Sequence, residues 1–268
     1  MGKERLDKII VDLKLAPTRE KAQALIISGA VSVNGKIHLK AGTKFDPSEI
    51  SVELINQPLP YVSRGGLKLE KALAVFQIDV TGKKCLDIGA STGGFTDCLL
   101  QHGAAAVIAL DVGYGQLAWS LRQDPRVIVM EKTNVRYITL ADLAFQPDLI
   151  TVDTSFISVT KFLPVLESLL PEEGELICLI KPQFEAGPAQ VGKGGIVRDP
   201  RVWQAVLTEI LQFAAGLNLG CLGLTISPIK GTKGNIEFLA YFRKGVPALI
   251  KPDAMEIAEL VSQAAEQL

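Results

Sequence analysis

The sequence contains few of the residues that bind metals or crosslink chains. Its 268 residues include two histidines and four cysteines, and no two cysteines form a Cys-x-x-Cys pair. The cysteines lie far apart inside apolar stretches, at Cys85, Cys98, Cys178 and Cys221. Isolated cysteines in such surroundings are typical of buried, reduced thiols rather than of disulfides or zinc ligands. We therefore expect no disulfide and no metal site.

Long hydrophobic runs are also missing. The chain is 48% hydrophobic and 21% charged, which is typical of a globular protein. No apolar run approaches the roughly 18 residues that a membrane helix needs. The first seven residues mix acids with bases, and no apolar block follows them in the format of a signal peptide. These absences predict a cytoplasmic protein without stable membrane association.

A large excess of charge of one sign is absent as well. The net charge is -1, so the chain as a whole lacks the basic surplus that is typical of nucleic-acid-binding proteins. The charge is uneven, however, because residues 1–60 carry nine Lys or Arg against seven Asp or Glu. Including residues 61–71 raises the local net charge from +2 to +4. The basic surplus therefore lies where the two halves of the chain meet.

The first 58 residues have the pattern of a small α+β domain. The spacing of apolar residues predicts two short helices, and Thr18 is placed to cap the second. Alternating residues on either side of Asn34-Gly35 predict a hairpin, followed by further short strands. Prolines near residue 60 mark a linker. The predicted organisation is a first domain over 1–58, a linker over 59–65, and a second domain over 66–268 that ends in an amphipathic helix, 253–268.

This first segment resembles the S-four RNA-binding domain. The residues that carry the resemblance are Arg5-Leu6-Asp7, Thr18-Arg19, Ala22, Ile26, Gly29, Val31 and Val33-Asn34-Gly35. The resemblance implies RNA binding through the exposed faces of the two helices. The candidate phosphate contacts are Arg5, Lys8, Arg19 and Lys21. The alternative for each of these bases is an ordinary solvated helix face.

The second segment alternates apolar runs with helical stretches. The run Cys85–Ile88 leads into a glycine turn, residues 89–94, and then into a helix. Further apolar runs end at Asp111, Asp153 and Lys181. Strands that alternate with helices predict an α/β fold of the Rossmann type, with a parallel sheet and right-handed crossovers.

The glycine turn and the acid after the next strand predict a nucleotide cofactor. Glycines let a backbone approach a bound nucleotide closely, and Asp111, 24 residues after Asp87, can hold ribose hydroxyls. The spacing departs from the dinucleotide fingerprint Gly-x-Gly-x-x-Gly. An acid beside the glycines suits the cationic methionine end of S-adenosylmethionine better than it suits a diphosphate. We therefore expect S-adenosylmethionine rather than a nicotinamide cofactor.

The predicted cofactor contacts lie in the turn and at the ends of the next strands. They are Asp87, Gly89, Ser91, Thr92, Gly93, Gly94, Phe95, Asp111 and Asn134. Asn134 would read the adenine through its amide, and the alternative is that it caps a helix. For Asp87 and Asp111 the alternative is an ordinary cap at a strand end.

Four charged residues occupy positions that a parallel sheet would bring together. They are Lys68, Asp153, Lys181 and Glu237. Chemistry in open α/β sheets collects at the carboxyl ends of strands. Two lysines and two acids compensate each other, so they can be buried as a network where an unpaired ion would be costly. The set suits methylation of a ribose 2′-hydroxyl, with Lys181 as the candidate base and no cysteine nucleophile; the alternative is a structural ion network.

A second resemblance spans essentially the whole chain and is to the TlyA (haemolysin A) family. It is carried by residues 61–69, 87–96, 111–117, 153–158 and 181–185. The catalytic half is similar to the FtsJ/RrmJ ribose methyltransferases, whose Lys-Asp-Lys-Glu tetrad falls on the four charged residues above. The resemblance implies 2′-O-methylation of cytidines in large-subunit ribosomal RNA, and in some members also in the small subunit. The FtsJ-type turn has Ala-Pro where this chain has Ser91-Thr92, which leaves the exact methionine contacts open.

A glycine-rich basic loop, residues 190–198, is predicted to clamp RNA near this site. Arg64 and Lys193 are the expected RNA contacts there, and the alternative is a solvated loop. The expected partner is ribosomal RNA or a ribosomal subunit. The rival functions are a membrane-lytic protein, a non-catalytic assembly factor and a nicotinamide oxidoreductase. The missing apolar span, the intact tetrad and the glycine spacing, respectively, disfavour them.

Overall fold

The computed structural model describes residues 2–54, 59–252 and 255–266. The chain divides into two compact units, Met1–Arg64 and Gly65–Leu268. The junction falls inside the stretch predicted as a linker, residues 59–65. Pro58 of the linker signal and the first and last two residues of the predicted terminal helix lie outside the described residues.

The first unit contains two helices, with one two-residue strand before them and four short strands after them. In chain order its elements are β1 (Glu4–Arg5), α1 (Leu6–Asp12), α2 (Arg19–Ile27), β2 (Val31–Val33), β3 (Lys36–Ile37), β4 (Lys44–Phe45) and β5 (Val52–Leu54). The hydroxyl of Thr18 accepts a hydrogen bond from the backbone N–H of Lys21, which confirms the predicted cap. Asn34 and Gly35 both have positive φ, and β2 pairs with β3 across them, which confirms the hairpin.

The interior of the first unit is small and apolar. Its main apolar cluster consists of the buried residues Leu6, Ile10, Ala16, Ala22, Ile26, Val31 and Val33. The two helices therefore turn one apolar stripe toward β2 and leave their basic residues outside.

The second unit alternates strands and helices. Its elements are α3 (Gly65–Phe76), β6 (Lys84–Ile88), α4 (Gly94–Gln101), β7 (Ala106–Leu110), α5 (Trp119–Arg122), β8 (Val127–Met130), β9 (Leu149–Val152), α6 (Leu163–Leu169), β10 (Glu175–Ile180), α7 (Pro182–Glu185), α8 (Pro200–Gly216), β11 (Leu219–Ile226), β12 (Phe238–Lys244) and α9 (Met255–Ala265). Within the described residues, no helix is both long enough and apolar enough to cross a membrane.

The strands of the second unit form one seven-stranded sheet in the described residues, with the order β11-β12-β10-β9-β6-β7-β8. The five strands from β10 to β8 are parallel. This confirms the parallel arrangement predicted for the strands that end at Asp111, Asp153 and Lys181. β12, for which no direction was predicted, is antiparallel to both of its neighbours. The physical reason is the connection between β11 and β12, residues 227–237, which is fully described and contains only one 3-10 turn. A parallel crossover usually needs a dozen or more residues with a helix.

The strand order places the loops that carry the predicted site. From β6 the chain moves outward to β7 and β8, and then returns to β9 on the other side of β6. Such a reversal leaves a crevice beyond the carboxyl ends of the strands. Because β12 is antiparallel, it begins at the edge where β9 and β10 end. The loops after β6, β7, β9 and β10 therefore meet the segment before β12.

Candidate active site

The glycine turn after β6 is packed too closely for larger residues at two positions. Gly89 has φ of +81°, and a Cβ atom there would lie 2.5 Å from the backbone oxygen of Asp153. Gly93 has φ of +99°, and a Cβ atom there would lie 2.2 Å from the Leu121 side chain. Both positions combine a left-handed conformation with a close approach, so they require glycine. The turn thus lies directly against the end of β9.

Asp111 connects the turn to the loop after β7. Its Oδ2 accepts a hydrogen bond from the backbone N–H of Ser91 at 2.8 Å, and its Oδ1 accepts one from that of Gly113 at 2.7 Å. The side chain of Gln116 reaches the same place, with Oε1 3.4 Å from the hydroxyl of Ser91. Gln116 was not predicted as a site residue, because nothing in its local sequence shows that its loop folds back on the glycine turn.

Asp87 lies beneath the turn rather than in the open crevice. It is fully buried, and its two carboxylate oxygens accept hydrogen bonds from Thr96 at 2.6 Å and Thr151 at 3.1 Å. Burial raises the pKa of Asp87 to about 7, and the two hydroxyl donors only partly oppose this effect. The carboxylate therefore joins the start of α4 to β9 and supports the turn from below.

The remaining predicted cofactor residues differ in exposure. Ser91 is exposed and has φ of +49°, whereas Thr92 is half-buried and accepts a hydrogen bond from Ala118 through its backbone oxygen. Gly94 begins α4, and the side chain of Phe95 is buried in the protein interior. Asn134 caps the 3-10 helix Val135–Tyr137 by accepting from the backbone N–H of Arg136 at 3.1 Å. The capping alternative is thus realised, and a role in adenine binding stays a prediction.

The four predicted charged residues form two ion pairs. Nζ of Lys68, on α3, lies 2.6 Å from Oε2 of Glu237. Nζ of Lys181, directly after β10, lies 2.5 Å from Oδ1 of Asp153, directly after β9. Lys181 also donates to the hydroxyl of Ser155 at 3.0 Å. Each lysine is therefore held by one carboxylate.

The sheet register brings the two pairs to the same edge. Ile180 is opposite Phe238, so Lys181 and Glu237 are the next residues on two neighbouring strands. Glu237 is 2% exposed, and Lys68 and Lys181 are 8% and 7% exposed. The side chain of Asp153 is more open, at 21%. Charges of opposite sign compensate each other at this edge of the sheet. Water has little access there, so an unpaired ion would destabilise the fold.

The segment before β12 contains two site residues that were not predicted. Gly231 lies against the carboxylate of Glu237, so that a Cβ atom at position 231 would be 1.9 Å from Oε1. Asn235 is 2% exposed and joins this segment to the basic loop. Its Oδ1 accepts from the backbone N–H of Val197 at 3.0 Å, and its Nδ2 donates to the backbone oxygen of Gly195 at 2.9 Å. Both roles depend on contacts between distant segments, which have no local sequence signal.

An exposed aromatic side chain stands beside the lysine that follows β10. Phe156 is 89% exposed and adopts φ of +66°, a conformation that is costly for a residue with a side chain. Its ring centroid lies 4.9 Å from that of Phe184, which in turn lies 5.9 Å from Nζ of Lys181. Strained and exposed residues of this kind cluster at functional sites. Phe156 was not singled out from the sequence, because its backbone conformation is not visible there.

The surroundings of the four cysteines do not activate their thiols. All four are free and buried. Burial raises the pKa of the thiols of Cys85, Cys178 and Cys221 well above the usual range. A thiol with a raised pKa is a poor nucleophile near neutral pH. The chemistry at the strand edge therefore falls to the oxygen and nitrogen groups.

The predicted RNA-binding residues are mostly exposed. Arg5 and Arg19 both form ion pairs with the buried Asp7, and Lys8 pairs with Glu4 at 3.0 Å. The hydrogen bond from Arg5 holds the pKa of Asp7 far below its usual range. The other three predicted residues are Lys21, which is exposed on α2, Arg64, which is half-buried, and Lys193, which is exposed in a turn closed by the bridge between Gly192 and Ile196.

The sheet topology, the glycine turn and the charged strand edge together define a doubly wound α/β enzyme with a nucleotide-type site. Comparison with models of protein families identifies the family to which the chain belongs. The FtsJ-like methyltransferase model matches residues 61–244, and the S4 domain model matches residues 4–50. The chain therefore belongs to the FtsJ-like methyltransferase family and carries an S4 domain, the S-four domain described above, at its N-terminal side. These matches confirm the expected fold class.

Individual proteins are similar over nearly the whole chain. The 16S/23S rRNA (cytidine-2′-O)-methyltransferase TlyA of Mycobacterium tuberculosis is 41% identical over 254 residues, which is 95% of each chain. Hemolysin A of Brachyspira hyodysenteriae is 46% identical over 240 residues, which is 89% of this chain and 99% of that protein. A solved structure from Streptococcus thermophilus covers 100% of this chain and 97% of its own, with a TM-score of 0.79 and 44% identity. The resemblance to the TlyA family is thus confirmed.

Proposed function

We propose that this protein transfers a methyl group from S-adenosylmethionine to the ribose 2′-hydroxyl of a cytidine in ribosomal RNA. The observation that carries the proposal is the presence of two ion pairs, Lys68–Glu237 and Lys181–Asp153, at the strand edge beside the glycine turn. The substrate follows from the name of the Mycobacterium tuberculosis relative, which acts on cytidine in 16S and 23S rRNA. Large-subunit RNA is the proposed target, with small-subunit RNA as a second.

The residues around the glycine turn fit S-adenosylmethionine. Tight packing at Gly89 and Gly93 keeps the turn free of side chains at two positions, and the carboxylate of Asp111 stands at the end of the next strand, where ribose hydroxyls need an acceptor. When bound, the cofactor supplies an electrophilic methyl group on a positively charged sulfur. The residues that we assign to its binding are Gly89, Ser91, Thr92, Gly93, Gly94, Asp111 and Asn134, whereas the buried side chains of Asp87 and Phe95 support the turn from within the protein.

Lys181 is the residue that we assign to the proton of the 2′-hydroxyl. That oxygen must lose its proton as it gains the methyl group, and Nζ of Lys181, as the neutral amine, accepts this proton and becomes the ammonium that Asp153 holds. Asp153 and Ser155 orient this nitrogen, at 2.5 and 3.0 Å. Lys68 and Glu237 complete the charge balance, so that the edge can exclude water without an unpaired ion. In reactions that form no covalent intermediate with the enzyme, positioning of this kind supplies much of the rate enhancement over the uncatalysed reaction.

Both units contribute to the proposed binding of RNA. In the S4 domain, residues 1–58, the assigned contacts are Arg5, Lys8, Arg19 and Lys21. Arg64 follows at the end of the linker, residues 59–65, and Lys193 lies in the basic loop of the methyltransferase domain, residues 66–268. The exposed ring of Phe156 offers a surface on which a base can stack, as aromatic residues do in single-stranded RNA recognition. A ribosomal RNA substrate implies work in the cytoplasm, on ribosomal subunits, without stable membrane association.

The test is methyl transfer from labelled S-adenosylmethionine to purified ribosomal subunits, with wild type beside Lys181→Ala. A matched control is Lys161→Ala, since Lys161 is an exposed lysine of the same unit. The modified nucleotide is mapped by its resistance to alkaline cleavage. Label on a 2′-oxygen that disappears only in Lys181→Ala is the expected result.

Other outcomes point to the rival functions. If neither subunit is labelled although the cofactor binds, the catalytic proposal fails and an assembly factor becomes the better description. Leakage of liposomes by the pure protein, unaffected by Lys181→Ala, would favour the membrane activity that the name of the Brachyspira relative suggests.

A further inference from the structure

A buried carboxylate lies among the basic residues of the S4 domain. The side chain of Asp7 is 0% exposed, whereas those of Arg5 and Arg19 are 45% and 56% exposed. Arg5 donates from Nε to Oδ1 at 3.0 Å and from Nη2 to Oδ2 at 2.8 Å. Arg19 donates from Nη2 to Oδ2 at 3.1 Å, and Gln23 donates from Nε2 to the same oxygen at 2.8 Å. One carboxylate therefore holds two half-exposed guanidinium groups from separate parts of the chain.

The bonds to Asp7 leave most guanidinium N–H groups for another partner. A guanidinium has five N–H groups, of which Arg5 directs two and Arg19 directs one at Asp7. Arg5 is also restrained from a second side, because a Cβ atom on Gly42 would lie 3.2 Å from its Nη1. Two cations around one buried anion leave a local charge of +1. The arrangement thus offers oriented donors and a positive charge at the surface.

We propose that Asp7 is a positioning residue for RNA binding, which fixes Arg5 and Arg19 so that their outward N–H groups form one preformed site for the phosphodiester backbone. The inference rests on the proposed function, since it requires that the S4 domain binds RNA. Arginine binds phosphate through a planar fork, so its orientation matters more than that of lysine. An arginine that is already ordered also loses less side-chain entropy on binding. Lys8 pairs with Glu4, which is only half-buried, and so has no comparable fully buried anchor.

Neutralising Asp7 distinguishes two effects on RNA binding: the positioning of the two arginines and the net charge of the surface. If only long-range electrostatics mattered, removing any carboxylate from this surface would strengthen RNA binding. If Asp7 positions the two arginines, its neutralisation weakens binding even though the surface becomes more positive. The two explanations therefore predict changes of opposite sign.

The test measures binding of the full-length protein to purified ribosomal RNA over a series of salt concentrations. The variants are Asp7→Asn and, as a control with the same change in charge, Glu20→Gln, because Glu20 is an exposed acid next to Arg19. We expect Glu20→Gln to bind as tightly as wild type or more tightly. We expect Asp7→Asn to bind about tenfold more weakly at each salt concentration, because two long side chains are no longer ordered in advance. Equal or tighter binding by Asp7→Asn overturns the inference.

A second pair of variants covers the case in which Asp7→Asn does not fold, as judged by thermal melting. Arg5→Lys and Arg19→Lys keep both the net charge and the buried carboxylate. Positioning through the fork predicts severalfold weaker binding by each, with the salt dependence unchanged. Wild-type affinity in both variants overturns the inference. If the wild type itself does not bind ribosomal RNA, the proposed function fails, which is a separate result.

Discussion

Gly231 and the carboxylate of Glu237 are in direct contact: a Cβ atom at position 231 would lie 1.9 Å from Oε1 and 2.4 Å from Cδ of Glu237. No positive φ is required at Gly231, so the need for glycine there arises from this contact alone. Lys68 holds the same carboxylate from the other side, at 2.6 Å. Gly231 therefore determines where the carboxylate of Glu237, one of the four charged groups, can lie.

Gly231→Ala should lower methyl transfer while the protein remains folded. The added methyl group must displace the Glu237 carboxylate from its place between Gly231 and Lys68, and a displacement of about 1 Å in such a site can reduce turnover about 100-fold. Binding of S-adenosylmethionine, measured by calorimetry, should stay within a factor of two or so of wild type. Gly216→Ala is the matched control, because a Cβ atom there meets nothing within 4 Å. Equal turnover by both variants would show that the carboxylate position is unimportant.

Phe156→Gly should separate stability from substrate binding. Glycine adopts φ of +66° without strain, so the free energy of unfolding should be no lower than in wild type. Loss of the ring should raise KM for RNA about tenfold if a base stacks on it. Phe156→Tyr keeps the aromatic ring, so its KM for RNA should equal that of wild type. A fall of the unfolding free energy in Phe156→Gly with KM unchanged would assign Phe156 a structural role.

The buried Asp87 should make the second unit less stable as the pH rises. Its pKa is about 7 in the folded protein against a usual value near 4. Between these values the folded protein holds a proton that the unfolded chain has lost, so the free energy of unfolding falls with rising pH, by up to about 1.4 kcal/mol per pH unit. Above pH 7 this contribution is constant.

Denaturant unfolding at pH 5 and pH 8, followed by tryptophan fluorescence, measures this effect. Both tryptophans, Trp119 and Trp203, lie in the second unit, so the signal reports on that unit. Asp87→Asn has no titrating group at this position and should show a smaller loss of stability from pH 5 to pH 8 than wild type. The same pH dependence in both proteins would mean that the carboxyl group titrates normally.

Asn235→Ala should uncouple the basic loop from the catalytic edge. The substitution leaves the backbone N–H of Val197 and the backbone oxygen of Gly195 without their amide partner. We expect the unfolding free energy to fall by about 2 kcal/mol and the turnover on RNA to fall more than cofactor affinity does. Gln212→Ala, an exposed amide on α8, serves as the control. A parallel loss of cofactor affinity and turnover would indicate general disruption instead.

The charged residues of the site could be predicted from the sequence because each follows or precedes an apolar run. Asp153 and Lys181 stand at the ends of parallel strands, where topology alone brings side chains together. The pairing of each lysine with a particular acid was not predictable, since it depends on where α3 places Lys68 and on the direction of β12. That direction was not predicted, because a short connection, rather than any pattern in the strand, makes β12 antiparallel.

Other features depend on contacts that have no local signal. Gly231 looks like an ordinary loop glycine until Glu237 is placed against it. Asp7 belongs to the stretch that resembles an S-four domain, but its burial among two arginines follows from the packing of α1 against α2. Capping by Thr18 and the turn at Asn34-Gly35 were predictable because both are formed within a few residues.

The antiparallel last strand also determines when, during synthesis, the proposed set of four charges can be assembled. Lys68 and Glu237, which form one ion pair, are 169 residues apart in the chain. A nascent chain that has reached Lys181 already contains the residues of the glycine turn and of the Lys181–Asp153 pair, but not the carboxylate that pairs with Lys68. Translation must therefore pass residue 237, and β12 must insert beside β10, before the fourth charge arrives. With all four charges assigned to catalysis as proposed above, methyl transfer would be reserved for chains whose central sheet has been completed.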